Sequence, residues 1–226
     1  MQNRVAAPLA PWRLVAWLLF VFALSALSYA SRLSGEDPPE DLAYRYSSSI
    51  GALVQYGLML GILLLIARGL PRREVFALRR PSSWPRASAY AAVALVGIWL
   101  AAAALAPFLD ASDEQGFVPD EWDSSRAGAF AAFFFAVAVV APIVEELTYR
   151  GLGFFLLAPS GTVAAVLGTG VLFGVAHGLL VALPILVIFG LGVGWLRART
   201  ESVYPSMILH GIFNGAALIV SVAVLD

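Results

Sequence analysis

The chain has 226 residues, of which 60% are hydrophobic and 13% charged, and a formal net charge of −1, where a soluble domain carries roughly 25% charged residues. That composition excludes a water-soluble globule and leaves no room for a second, soluble domain beside several membrane crossings; the bilayer is the expected partner, and no nucleic acid is. There is no cysteine and no lysine, which excludes disulfides and thiolate metal sites and leaves carboxylates, imidazoles and hydroxyls as the available chemistry.

Each helical crossing needs about 20 apolar residues. Apolar runs separated by charged ones predict spans over 12–33, 46–67, 87–109, 127–149, 161–182, 184–197 and 205–225. The expected fold is all-α: a polytopic membrane helix bundle of about seven transmembrane helices, one integral domain over 1–226. Its first part, 1–125, holds three spans, and 126–226 holds the rest. Ser28-Tyr29-Ala30 offers a small-x-small cleavage site, but 12–33 is long enough to cross and is read as a retained helix. The stretch 151–160 either extends the fourth helix or lies at the interface.

Arginines set the orientation. Arg68, Arg72, Arg73, Arg79, Arg80 and Arg86 fall between spans two and three, whereas the neighbouring connections hold Glu36, Asp37, Glu40 and Asp41, and then Asp110, Asp113, Glu114, Asp120, Glu121 and Asp123. The basic loop is therefore placed in the cytoplasm and the acidic loops outside. Arg4, Arg13, Arg197 and Arg199 fit the same alternating path. This puts the amino terminus inside and the carboxyl terminus outside a multi-pass protein, expected in a prokaryotic plasma (inner) membrane. The basic loop is read as a topology signal rather than an anionic-lipid site, and the acidic loops as solvated connectors rather than partner surfaces.

The fourth span carries charge where charge is costly. Entered at Ala127, it reaches Glu145 at its nineteenth residue, deep in the membrane or toward its cytoplasmic side, where a carboxylate costs about 2.5–3.5 kcal/mol without a partner or water. Glu146 and Arg150 are four apart with the acid N-terminal, the favourable order for an ion pair on one face. Glu145 points about 100° away and has no such partner. Pro142 cannot donate to the carbonyl of Ala138, so a kink is expected just before the acids.

The only two histidines both fall in predicted spans. In "LFGVAHG", Phe173 lies one turn before His177 and can pack on its ring. In "LHGIFN", His210 and Asn214 share a face, so the amide can bond the imidazole or point into the same cavity. His210 is the sixth residue of its span, at a depth similar to Glu145. Gly170, Gly174 and Gly178 recur every four residues around His177, and Gly211 and Gly215 flank Asn214, spacings that let helices approach closely.

A carboxylate and imidazoles in a dry site can activate water, and Asn214 with a protonated or metal-bound centre can stabilise the oxyanion of a tetrahedral intermediate. That chemistry is amide hydrolysis. The same groups could hold Zn²⁺, with Glu145, His177 and His210 as ligands and water fourth. Both versions fit these residue types, although no H-E-x-x-H helix is present.

Three ordered motifs, Glu145-Glu146-x-x-x-Arg150, Phe173-x-x-x-His177 and His210-x-x-x-Asn214, resemble those of the CAAX protease and bacteriocin-processing (CPBP, or Abi) family of intramembrane proteases. The resemblance covers about 130–220; the first three spans and "FALRRP" resemble the family loosely. It implies a helical core with an active-site cavity open to the cytosol and hydrolysis of a peptide bond in a membrane-anchored or lipidated peptide, within or beside the bilayer. Glu145 would be the base activating water together with His177, His210 and Asn214 would form the oxyanion side, and Glu146, Arg150 and Phe173 would support the site. The family has been described both as metalloproteases and as metal-free, glutamate-dependent enzymes. Two other classes use the same residues: a noncatalytic peptide-binding or bacteriocin self-immunity module, and a proton-coupled transporter, for which the paired, interrupted helices of inverted repeats are lacking.

Overall fold

A computed structural model describes residues 10–35, 39, 41–109, 119 and 121–223. Arg4, Glu36, Asp37, Glu40, Asp110, Asp113, Glu114 and Asp120 lie outside these. Apolar runs become helices in chain order: α1 (Trp12–Leu33), α2 (Tyr46–Ile66), α3 (Trp84–Leu105), α4 (Ser124–Ser160), α5 (Thr162–Ala176), α6 (Leu183–Thr200) and α7 (Tyr204–Ala223). No strand occurs among the described residues. Apolar side chains such as Leu19, Phe22, Leu58, Trp99 and Ile212 are exposed, as a lipid-facing surface requires.

Six of the seven helices are long and apolar enough to cross a membrane. The exception is α5, expected over 161–182, which stops after 15 residues at Ala176, a rise of about 22 Å. Gly178 ends it: φ is +67° there, a conformation glycine adopts without steric cost, and its N–H donates back to Val175 O at 3.2 Å. Pro184 then sits in the first turn of α6, where its missing N–H costs nothing. His177 consequently lies just past the helix, in the turn between α5 and α6.

α4 departs the other way. It continues beyond 149 through 37 residues, so 151–160 does extend the helix. Around Pro142, where a kink is expected, the helix carries π-helical turns at Ala136–Val140 and Leu147–Gly153, on either side of the paired acids. Such turns let a helix carry an unpaired carbonyl without stopping.

The core draws on every helix, with Trp17, Leu63, Ile98, Leu152, Phe173, Val193 and Leu209 buried. Trp17 binds α1 into it, donating its indole N–H to Thr148 O at 3.0 Å. The small-residue stripe divides between partners. Gly170 and Gly174 let α6 close in at Gly190 and Val187, while Gly178 faces the backbone of Ser28 in α1.

Both ends of the bundle are latched. At one, Asp41 accepts from Arg45 Nε (2.6 Å) and Arg126 Nη1 (2.9 Å), and Asp123 accepts from Arg126 Nε (2.5 Å). The Ser125 hydroxyl and then Arg126 hold the exposed Asp123 carboxyl down at about 2, so the latch is ionised at neutral pH. At the other, Arg13 donates to the carbonyls of Ile66 and Arg68 at the end of α2. Val203 N–H donates to Ala77 O (3.2 Å), and Phe76 of "FALRRP" packs on Gly151.

Candidate active site

The centre of the site is the pair whose spacing the helix dictates. Arg150 Nη1 donates to Glu146 Oε1 at 3.2 Å, and neither side chain has any exposed surface. Burying a guanidinium requires more than one partner. Arg150 Nη2 also donates to Gly190 O at 2.6 Å, and the group lies 4.7 Å over the Phe173 ring. Its own carbonyl accepts from Arg197 Nε at 3.0 Å.

His210 enters from α7. Its Nδ1 lies 3.0 Å from Glu146 Oε1, the oxygen that also receives Arg150, and its Nε2 lies 3.8 Å from Glu145 Oε2. The imidazole thus stands between two acids adjacent in sequence, and Phe173 and Phe189 pack edge-on against it at 5.6 and 5.0 Å. Glu146 orients the ring through Nδ1, as carboxylates do for functional histidines elsewhere. Its second oxygen, Oε2, is buried with no hydrogen-bond partner, as is Arg150 Nε.

Glu145 differs from its neighbour in both exposure and bonding. Its side chain is 14% exposed, and Oε1 accepts from the Tyr56 hydroxyl of α2 at 2.7 Å. Tyr56 was not legible as a site residue, although a phenol at the eleventh position of an apolar helix needs a polar partner. Arg197, read in the sequence only as a topology mark, is buried and part of the same cluster.

The other two expected residues are each held by a main-chain carbonyl. The Phe173 carbonyl holds His177 Nδ1 at 2.7 Å, with the rings 4.6 Å apart. That leaves Nε2 free, and no hydrogen bond joins His177 to Glu145 or His210. Asn214 Nδ2 donates to Val137 O at 3.1 Å, a carbonyl within the π-helical turn before Pro142, rather than to His210. Phe173 nevertheless packs against both imidazoles, with ring centres 4.6 Å from His177 and 5.6 Å from His210. Among the described residues no three of His, Cys, Asp and Glu gather closely enough to hold a metal ion.

The nearby groove does not enclose these groups. It runs on the far side of the α4–α7 seam, where Ala138 O meets Gly211 so closely that an added Cβ would lie 2.7 Å from that oxygen.

Residues 127–216, nearly all of α4 through most of α7, match the family model described as type II CAAX prenyl endopeptidase Rce1-like. Neither curated proteins nor solved structures give a match.

Proposed function

We propose, because residues 127–216 match the Rce1-like CAAX prenyl endopeptidase model, that this integral membrane protein is an intramembrane endopeptidase acting on a membrane-anchored or lipidated peptide. The observation that carries the reading is the Glu145–His210–Glu146 arrangement: a partly exposed acid and a buried acid on either side of one oriented imidazole. An ion pair serving structure alone needs no second acid beside a histidine.

In the proposed cycle Glu145 takes a proton from water, and the resulting hydroxide adds to the scissile carbonyl carbon. His177 Nε2, free because Nδ1 is held by Phe173 O, orients that water. The carbonyl oxygen becomes an oxyanion, which accepts hydrogen bonds from protonated His210 through Nε2–H and from the second N–H of Asn214. Collapse of the intermediate breaks the C–N bond. Glu145 returns its proton to the leaving amine, releasing a carboxylic acid and an amine.

Tyr56 donates to the base, and that hydrogen bond to a charged group is worth about 1.5–3 kcal/mol. Tyr56→Phe is expected to lower kcat about 10- to 100-fold and to cost no more than the worth of that hydrogen bond in unfolding free energy. An unchanged kcat would remove Tyr56 from the site.

The test of the function is cleavage of a membrane-anchored peptide library by the purified protein, with bound metal quantified on the same sample. Products formed without stoichiometric metal support activation of water by Glu145 and histidine; products that require Zn²⁺ would replace that step with metal chemistry. One observation favours a noncatalytic peptide-binding module, including bacteriocin self-immunity: the Asn214 amide is already engaged by Val137 O. Saturable peptide binding by a well-folded protein that releases no product would establish that alternative.

A further inference from the structure

The arginine-rich connection between α2 and α3 has no part in the peptidase reading. It borders an open groove of about 1430 Å³ between α4 and α7, whose walls include Phe134, Val139 and Ile143 on one side and Ile208, Ile212 and Ile219 on the other. Most of these side chains are exposed, so in a bilayer an apolar chain must lie along them. The walls suit an acyl chain better than an extended peptide, because they offer nothing to satisfy a peptide's N–H and C=O groups in hydrocarbon.

At one end the groove changes character: Arg73, Arg79 and Arg80 line its mouth beside Trp84 and Tyr204. Arg79 is partly answered by Glu201 at 3.5 Å. Arg73 and Arg80 have no carboxylate within ion-pair distance among the described residues. Arg79 and Arg80 also line an adjoining polar pocket of about 440 Å³, together with Ser82, Arg199 and a single carboxylate, Glu201. The same arginines therefore separate an apolar channel from a polar pocket, which is the outline of an anionic amphiphile.

We propose that the groove binds an anionic glycerophospholipid, one acyl chain lying between α4 and α7, the phosphate on Arg73 and Arg80, and the rest of the headgroup in the polar pocket. The site is separate from the glutamates and does not depend on the peptidase reading.

The test is native mass spectrometry of the purified chain equilibrated with equal amounts of phosphatidylglycerol and phosphatidylcholine. Retention of phosphatidylglycerol in preference is expected. Arg73→Gln with Arg80→Gln, both exposed and unpaired, should reduce its retention roughly 30-fold, about fivefold per arginine. Ala216→Trp, which fills the groove and leaves the arginines in place, should also displace the lipid. Equal retention of the two lipids, indifference to the arginine variant, or full retention in Ala216→Trp would each overturn the proposal. A species of two chains in place of one chain with lipid would assign the groove to a second copy, and overturn it as well.

Discussion

Glu145→Gln is expected to lower kcat for peptide cleavage by about 10²–10⁴-fold, the range supplied by a positioned general base, and to leave the melting temperature of the solubilised protein within error. The substitution is nearly isosteric, and the amide oxygen can still accept from Tyr56, so the geometry survives while the basic oxygen is lost. Stability should hold because Glu145 is the less buried acid and its one short hydrogen bond is to Tyr56. Single-turnover kinetics on a membrane-anchored peptide makes the comparison, with thermal unfolding run in parallel. Full residual turnover would remove Glu145 as the base; a peptide-binding module would retain its affinity in this variant.

The sequence made legible whatever depends on local spacing. Glu146 and Arg150 pair because four residues is one helical turn, and Phe173 reaches His177 for the same reason. The spans were legible because about 20 apolar residues have few other uses. Contacts made across the bundle were not. His210 meets Glu146 across 64 residues, and Tyr56 meets Glu145 across 89; no periodicity encodes either. Asn214 shows how local reasoning fails at the last step. Its spacing from His210 places both on one face, yet its amide goes to Val137 O, because the turns around Pro142 leave carbonyls to satisfy and the half-buried amide answers one. Similarly, "AHGLL" continues an apolar run on composition, and only the positive φ of Gly178 places His177 beyond the helix.

The buried acid should behave in the opposite way to the exposed one. Glu146 Oε1 receives both Arg150 and His210, two groups with almost no exposed surface. Glu146→Ala leaves the guanidinium with Gly190 O and an aromatic face, and leaves His210 Nδ1 without its acceptor. Removing one partner of a buried pair costs about 3–5 kcal/mol, chiefly the penalty of the charge left behind. A large fall in unfolding free energy is therefore expected together with loss of turnover. Glu146→Ala combined with Arg150→Met separates the two effects: with both charges gone, an apolar replacement of similar volume restores most of the stability, whereas His210 stays unoriented and turnover stays low. Denaturant titration in detergent reads the first quantity and peptide cleavage the second. An unchanged melting temperature in the single variant would mean that the pair is solvated, and recovered turnover in the double variant would mean that Glu146 serves only to neutralise Arg150.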